Sequence, residues 1–317
     1  MSDGSESRAA APAARTEPAL RSDGGYETAS NARESSTRRP TAVDGGRSGS
    51  WYRQLFVVAE TEYRLAVRGR WAVALAAIFA AFALGLTTFS GASVGPEGFE
   101  RTVASLAALA VYLVPLLALA FGYDVIVGRE ESGWLQTLFS LPIDRSWIVV
   151  GAAVGRAVVL ASAAVIGFGI AGGFLLWEFG FAGFGTYVAF LLAAVGLALA
   201  FLAIGVLVST VASEKTHALG TALLAWAWFV LVHDLLGFGV IAAFDLSETA
   251  VSVLLMANPT GIFRALVLGS LGAAGDAGFA AVLAETGVSS PILIGALLAW
   301  IVVPIALAAL AVRRRRV

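Results

Sequence analysis

Residues 186–210 read TYVAFLLAAVGLALAFLAIGVLVST and contain no charged side chain. As a helix, this run rises about 37 Å, enough to cross a hydrocarbon core about 30 Å thick. Lipid offers the backbone no hydrogen bonds, so only helices and closed barrels cross a bilayer. The run lacks the period-two alternation of a barrel strand. It therefore predicts a membrane-spanning helix.

Five other segments share this apolar character. The chain is 58% hydrophobic and only 14% charged, with a mean hydropathy of +0.83, so it lacks the polar surface of a soluble domain. The six predicted spans are Trp71–Phe89, Val103–Val127, Trp147–Trp177, Thr186–Thr210, Leu219–Phe244 and Pro291–Val312. The third span is long enough to be either tilted or broken near Gly167–Gly173. We expect residues 245–290 to form short interfacial helices rather than another crossing. The predicted fold class is an all-α integral membrane protein with about six transmembrane helices.

The N-terminal region divides into two parts. Residues 1–50 are mostly Ser, Gly, Ala, Pro and Arg, so we predict a disordered tail, with the membrane domain covering residues 51–317. From Trp51 to Arg70, apolar residues recur at helical spacing and charged residues, among them Glu60 and Glu62, occupy the rest. This pattern predicts an amphipathic helix in the membrane interface before the first span. The alternative is an ordinary solvated helix.

The basic residues near the span ends indicate the orientation. With six spans they fall on one side: Arg64, Arg68, Arg70, Arg129, Arg145, Lys215 and the final run Arg313–Arg316. Loops on the cytoplasmic side of a membrane carry the excess of arginine and lysine. We therefore expect a multi-pass protein of the plasma membrane with both termini in the cytoplasm.

The loop between the second and third spans, residues 128–146, reads GREESGWLQTLFSLPIDRS. Two acids, Glu130 and Glu131, precede an apolar-periodic run, and Pro142 ends it because proline cannot continue a helix. The pattern predicts a short cytoplasmic helix over Glu130–Leu141 whose apolar side suits docking into a groove of a partner. The alternative is a simple connector, which is common at this loop length.

This loop resembles the coupling-helix region of ABC-2 type ABC transporter permeases, whose pattern is approximately R-E-x-x-G-T-L-x-x-L-L-x-x-P-V-x-R. The chain departs from it with Trp134 in place of Thr and Ile143 in place of Val. The resemblance implies six spans, an interfacial helix and a homodimer of the permease that works with two copies of a separate ATPase. The residues it assigns to ATPase coupling are Arg129, Glu130, Glu131, Gly133, Leu135, Leu138, Pro142 and Arg145.

A narrower resemblance is carried by two later motifs. WAWFVLVHDLLG at residues 226–237, and Asn258-Pro259 followed by Phe263-Arg264, look like the permease branch that serves nitrous oxide reductase maturation. That resemblance implies a role in assembling the copper site of the reductase. It also implies an extracytoplasmic metal-binding or scaffold protein as a further partner.

Several charged and polar residues lie in or near the predicted spans. His233 and Asp234 fall inside the fifth span, where ionisable groups are costly, so they mark either a functional site or an internal hydrogen-bond network. We expect Asp124 and Arg156 to form a structural ion pair. The outer-face motif of Asn258, Pro259 and Arg264 either shapes a helix for an extracytoplasmic partner or caps one.

Other chemistry is limited by composition. The chain has no cysteine, two histidines and two methionines, too few soft ligands for a metal path, so we predict no metal site. No phosphate-binding G-x-x-x-x-G-K-[ST] loop occurs, so ATP and magnesium would bind a partner ATPase and this chain would not be an enzyme. The net charge of −1 indicates no nucleic-acid partner, whereas membrane lipid surrounds the spans. The alternatives are a generic ABC-2 exporter of a lipid, glycan or small hydrophobic molecule, and a passive membrane anchor or assembly factor.

Overall fold

The computed structural model describes residues 51–89, 96–133, 145–244, 246–271 and 288–314. The predicted tail, residues 1–50, lies outside this part of the chain, as do residues 134–144 of the coupling loop. Every regular element among the described residues is helical. The α-helices are α1 Trp51–Arg68, α2 Trp71–Phe89, α3 Pro96–Gly122, α4 Val127–Glu131, α5 Arg145–Phe179, α6 Phe184–Val211, α7 Lys215–Ala227, α8 His233–Ala243, α9 Glu248–Met256, α10 Pro259–Leu271 and α11 Ser290–Arg314. A 3₁₀ turn, Phe181–Gly183, precedes α6, and a π-helical segment, Trp228–Val232, joins α7 to α8.

Within the described residues, six helical stretches are long and apolar enough to cross a bilayer, which confirms the predicted number. They are Trp71–Thr88, Gly98–Glu131, Arg145–Phe179, Phe181–Val211, Lys215–Ile241 and Ser290–Arg314. The third is one continuous helix, α5, so the suggested break near Gly167–Gly173 is wrong. The irregular turn occurs instead in the fifth span, at the π segment.

The centre of the bundle is built by α5 and α6, the two longest helices. Helix α5 packs against α1, α2, α6 and α11, and α6 also packs against α3, α10 and α11. The crossing of α3 and α6 is close because both helices place a glycine there. A Cβ on Gly205 would lie only 3.1 Å from the Cα of Gly122. Small residues allow this backbone approach, which is a common way of packing helices in lipid.

Helices α9 and α10 form a bent pair with an angle of 111° between them. This is the geometry of a broken span or of a re-entrant hairpin. The break lies near the middle of the bundle, because the Trp300 indole Nε1, halfway along α11, donates a 2.9 Å hydrogen bond to the Met256 carbonyl. At the other end of α10, the Thr186 hydroxyl at the start of α6 lies 3.5 Å from the Ser270 carbonyl.

The burial of α10 changes one expectation. We predicted that residues 245–290 form short interfacial helices, and two short helices do occur there. However, Ile262 and Phe263 are fully buried, and α10 packs against α3, α6 and α11. Helix α10 is therefore an internal element of the bundle rather than a helix lying on its surface.

One end of the bundle collects basic residues. Helix α5 begins and α11 ends there, as shown by a 3.0 Å hydrogen bond from Arg313 to the Ser146 hydroxyl. Helix α2 begins and α3 ends there too, since the rings of Trp71 and Phe121 lie 5.9 Å apart and Arg156 of α5 donates a hydrogen bond to the Phe121 carbonyl. We call this the basic end. The contacts described below bring Arg129, Arg156 and Lys215 to the same end, in agreement with the expectation that these residues share one side. The side of the membrane that the basic end faces stays a prediction, as does the interfacial position of α1.

Candidate functional site: a charged ring and a midspan polar cluster

The short helix α4 is held in place by a serine on another helix. Its first N–H groups have no partner within the helix, and its preceding residue, Ile126, has an apolar side chain. The Ser209 hydroxyl on α6 accepts hydrogen bonds from the amides of Ile126 (2.9 Å) and Val127 (3.2 Å). Ser209 lies four residues, about one helical turn, beyond the Gly205 crossing. The close approach of α3 and α6 thus brings this hydroxyl to the start of α4.

The last residue of α4 joins it to α7. A Glu131 carboxylate oxygen accepts a 2.6 Å hydrogen bond from the backbone amide of Lys215, the first residue of α7. A carboxylate is favourable at this position because a helix N-terminus carries unpaired N–H groups and partial positive charge. Glu131 therefore caps α7 from outside, since the neighbouring Glu214 makes no side-chain cap of its own.

A closed network of six residues surrounds α4, and we call it the charged ring. Its members are Glu62 on α1, Asp124 in the turn before α4, Arg129 and Glu131 on α4, Arg156 on α5 and Lys215 on α7. Glu62 pairs with Arg129 and lies 3.6 Å from the Arg156 Nε. The Arg156 Nη1 lies 2.9 Å from Asp124, and the Lys215 Nζ lies 3.6 Å from the other Asp124 oxygen. The bond between Glu131 and Lys215 completes the ring.

The ring confirms one prediction and adds a residue that the sequence analysis misplaced. The expected ion pair of Asp124 and Arg156 is present. Glu62, by contrast, was assigned to the polar side of an interfacial helix, yet only 4% of its surface is exposed. Its position three to four residues from Val58, Ala59 and Ala66 puts it on the stripe of α1 that packs against α5. This helical spacing from apolar residues is the sequence signal that could have predicted the burial of Glu62.

Four members of the ring, Glu62, Asp124, Arg129 and Arg156, line one side of a partly open cavity of about 210 Å³, together with the apolar Trp71 and Phe121. The Arg156 guanidinium lies 5.0 Å from the centre of the Phe121 ring, within the range of a cation–π contact. It also donates a hydrogen bond to the Phe121 carbonyl. Each arginine that lines the cavity thus faces a carboxylate, so the buried charges are compensated locally.

The structure describes only some of the residues assigned to coupling. Arg129 faces inward to Glu62, with 13% of its side chain exposed, and Glu131 caps α7, so both stabilise the bundle directly. Glu131 ends α4 rather than beginning a helix, and Gly133 follows in the left-handed region with φ 73°. Glu130 lies in α4, and Arg145 begins α5. Leu135, Leu138 and Pro142 lie outside the described residues, so the coupling helix itself stays a prediction.

The polar residues of the fifth span meet the Asn258 motif in a second network, the midspan cluster of His233, Asp234, Asn258, Thr260 and Arg264. The Asn258 Nδ2 donates to the Phe229 carbonyl at 2.8 Å and lies 3.3 Å from Asp234 and 3.2 Å from the His233 Nδ1. Arg264 pairs with the other carboxylate oxygen of Asp234. The cluster lies about 27 Å along the span from Lys215, at 1.5 Å per residue.

The π segment supplies a backbone carbonyl to which the α9–α10 hairpin is hydrogen-bonded. A π turn adds a residue and displaces carbonyls from the normal helical ladder. The Phe229 carbonyl accepts bonds from Asn258 and, at 3.3 Å, from the Thr260 hydroxyl. The break between α9 and α10 is thereby bonded to the irregular turn of the fifth span. This bond between the two elements was not predicted from the sequence, because its partners are about 30 positions apart in the chain.

Asn258 also begins α10. Its side-chain oxygen accepts a 3.0 Å hydrogen bond from the Thr260 amide, and Pro259 occupies the first helical position, where its missing N–H costs nothing. Asn258 therefore caps α10, which is one of the two alternatives that the sequence offered for this motif. Likewise, His233 and Asp234 lie in an internal hydrogen-bond network, as one of the two sequence alternatives proposed.

Beside the break lies a largely apolar cavity of about 450 Å³. Phe229 from the π segment and Met256 from the end of α9 form part of its wall, and Trp300, Val303 and Leu307 of α11 form another part. Ile204 and Leu207 of α6 complete the lining, so the cavity is bounded by the two irregular backbone elements and by α6 and α11. Its composition suits a hydrophobic molecule rather than a charged one.

Among the residues that the structure describes, no group of three or more His, Asp or Glu side chains could hold a metal ion. In the midspan cluster, one carboxylate oxygen of Asp234 is taken by Arg264 and the other by Asn258. Both networks bond helices to one another: the charged ring joins α1, α4, α5 and α7, and the midspan cluster joins α8 to α10.

Comparison with known proteins decides the family. Residues 56–316, most of the chain, match the family described as ABC-2 family transporter protein. The chain belongs to the ABC-2 transporter family. It is also 36% identical over 280 residues to the probable ABC transporter permease protein NosY of Stutzerimonas stutzeri, covering 83% of this chain and 99% of that protein. The protein of the same name from Pseudomonas aeruginosa is 36% identical over 278 residues, covering 82% and 98%.

Membership of the ABC-2 family makes this chain a multi-pass membrane permease subunit of an ABC transporter. Permeases of this family work with an ABC ATPase subunit. The family assignment thus agrees with the six spans and with the resemblance noted in the loop at residues 128–146.

Proposed function

We propose that this permease couples ATP hydrolysis by a separate ATPase subunit to a rearrangement of its spans, and that residues 130–141 form the docking segment. The charged ring is the observation that supports this most strongly. Helix α4 leads into the docking segment and shares Glu130 and Glu131 with it, and it is fixed to α6 by Ser209 and to α7 by Glu131. A force applied to the segment therefore reaches two membrane helices through direct contacts.

The fifth span offers a route from the ring towards the opposite end. Lys215 begins α7, and the same span continues through the π segment to His233 and Asp234. There the midspan cluster bonds the span to Asn258 and to Arg264 of the hairpin. A shift of α7 is thus passed to the hairpin of α9 and α10 at its break near the middle of the bundle. Packed elements with two discrete arrangements carry such changes.

We further propose that the chain serves nitrous oxide reductase maturation, which is the role implied by its resemblance to that branch at residues 226–237 and 258–264. The relatives named NosY, similar over nearly their whole length, support this assignment. In this proposal two copies of the permease and two of the ATPase act with an extracytoplasmic metal-binding or scaffold protein.

The test of this role is complementation. A strain that lacks the gene should produce the reductase polypeptide with reduced copper content and little activity, and the wild-type gene should restore both. The matched comparison is the same strain carrying the permease without its cognate ATPase gene, which should behave like the deletion. Full reductase activity and copper content in the deletion strain would contradict the maturation role but would leave the ATP-coupled permease in place.

Within this role, mechanical coupling is favoured over copper conduction. A copper path needs several soft ligands, and the chain offers no cysteine and only two histidines and two methionines. Replacing His217, His233 and Met256 together with alanine should therefore leave most maturation activity, apart from any loss of protein caused by the change at the buried His233. A correctly folded triple variant at wild-type abundance that delivers no copper would contradict mechanical coupling.

The apolar cavity near the hairpin favours one other function, export of a small hydrophobic molecule or a lipid. Its volume of about 450 Å³ and its wall of Phe229, Met256 and Trp300 suit such a substrate. The two functions make different predictions for Met256→Trp, which would fill part of this space. The substitution should reduce export. Maturation through mechanical coupling should instead change only as far as the amount of folded permease in the membrane changes.

A further inference from the structure

Glu62 is unusual among the charged residues of α1. Glu60 and Arg64 form an exposed pair one helical turn apart, with 45% and 67% of their side chains exposed. Such pairs contribute little to stability. Glu62 instead lies at the packed face of α1 with 5% of its side chain exposed. A carboxylate in such a position is costly unless a cation compensates it.

Two arginines from different elements compensate Glu62. Arg129 comes from α4, the helix that leads directly into the proposed docking segment, and Arg156 comes from α5, one of the two central helices. Their roles differ, because Arg156 also has Asp124 at 2.9 Å. Loss of Glu62 would leave Arg156 with a carboxylate nearby, whereas it would remove the ion pair of Arg129 that the structure shows.

The Glu62–Arg129 pair connects α1 directly to α4. Helix α1 packs along α5 and, to a smaller extent, α2. Helix α4 is held by Ser209 of α6 and by its contact with α7, and Arg156 of α5 pairs with Asp124 in the turn just before it. Glu62 thus adds a direct polar bond from α1 to the helix that leads into the docking segment.

We infer that Glu62 is a positioning residue for energy coupling: by pairing with Arg129 it makes α1, α4 and α5 move as one unit when the ATPase pulls on the docking segment. This inference rests on the proposed function. It goes beyond it by assigning a role to α1, which neither the coupling loop nor the family resemblance supplies. Without the pair, the docking segment would still bind the ATPase, but α4 would shift without α1.

The variants follow from the energetics of buried pairs. Removing one partner of such a pair leaves an uncompensated charge and destabilises the protein, whereas removing both is often nearly neutral. Glu62→Gln alone should therefore lower the amount of folded protein. The double variant Glu62→Gln/Arg129→Gln should restore folding, since neither charge then remains. Glu60→Gln, on the exposed side of the same helix, is the matched control.

The measurement uses the absence of cysteine from the chain. Cysteines introduced at the exposed Phe56 of α1 and at Ser132 after α4 carry spin labels. Because Ser132 lies within the docking segment, the labelled wild type must first recover as much ATPase as the unlabelled protein. The distance between the labels is then measured in the permease–ATPase complex with and without a non-hydrolysable ATP analogue. In the wild type and in Glu60→Gln, the distance distribution should be narrow and unchanged by nucleotide. In the double variant it should broaden and shift on nucleotide binding, with loss of maturation activity at equal recovery of the ATPase.

The outcomes separate the inference from the proposed function. A double variant that folds, keeps the narrow nucleotide-independent distribution and keeps its activity would show that Glu62 serves only folding, and the inference would be wrong. If the wild type recovers no ATPase, the proposed coupling itself fails. Glu62→Asp provides a second check, because it keeps the negative charge on a shorter side chain. The closer its label-to-label distance distribution is to that of the wild type, the more maturation activity it should retain.

Discussion

Replacing Asn258 with alanine should destabilise the protein more than the loss of an ordinary helix cap. The Asn258 side chain is fully buried and makes bonds in two directions. Its oxygen accepts from the Thr260 amide at 3.0 Å, and its nitrogen donates to the Phe229 carbonyl at 2.8 Å. Alanine removes both bonds, and the Thr260 amide has no alternative partner within α10 because it lies in the first turn.

The magnitude follows from these bonds. The buried Thr260 amide left without its cap costs about 1–3 kcal/mol, and a lost hydrogen bond such as that to the Phe229 carbonyl contributes about 1 kcal/mol. The Phe229 carbonyl keeps the Thr260 hydroxyl, so its loss is smaller. The expected decrease in the free energy of unfolding is about 2–4 kcal/mol. We also expect the hairpin to separate from the π segment before the rest of the bundle unfolds.

The assay is equilibrium unfolding in mixed micelles of a mild detergent and dodecyl sulfate, followed by circular dichroism. The matched control is Ser247→Ala, which removes the exposed cap of α9, where the Ser247 hydroxyl accepts from the Ala250 amide at 3.3 Å. This control should cost about 1 kcal/mol or less. Equal destabilisation by the two variants would show that the bonds between the hairpin and the π segment contribute nothing.

Two further predictions concern topology and the junction of α4 with α7. Reporter fusions at Val317 and after Arg70 should both report the cytoplasm, and one near Asp276 the outside, because all basic clusters then lie on the cytoplasmic side; an outside signal at Val317 would refute the six-span topology. Glu131→Ala should weaken the start of α7 by about 1 kcal/mol, as loss of a cap does, whereas Glu131→Gln keeps an acceptor and should cost less. Unfolding measurements that rank the two variants in the opposite order would refute the capping role.

The spans were predictable from the sequence because they are local features. Long apolar runs such as residues 186–210 identify a span by length and composition alone, and the Asn258-Pro259 pair identifies a helix start by its own chemistry. The Asp124–Arg156 pair was expected because both residues fall near the same ends of neighbouring spans. Each of these predictions needed only short-range patterns and the antiparallel order of the helices.

The ring and the cluster were not predicted as units, for physical reasons. Glu62 and Arg129 are 67 positions apart, so their contact depends on how α1 packs against α5. The π segment has no distinctive residue, because Trp228–Val232 reads like any other apolar turn. The role of Glu131 was interpreted from the sequence as docking, whereas the structure shows that its carboxylate caps α7. Charged residues on short loops carry too little local information to reveal their tertiary partners.

The central claim is that this permease binds a separate ATPase through the segment after α4. The most direct measurement is recovery of the cognate ATPase with the tagged permease at matched membrane levels, comparing the wild type with Leu135→Asp/Leu138→Asp. These substitutions change the apolar side of the docking segment and leave Glu131 at the start of α7. Because charged side chains are costly to bury in an apolar groove, the double aspartate variant should lose most of the bound ATPase. The control Glu60→Gln should retain it. Equal recovery with the double aspartate variant would contradict the claim and reduce residues 130–141 to a connector.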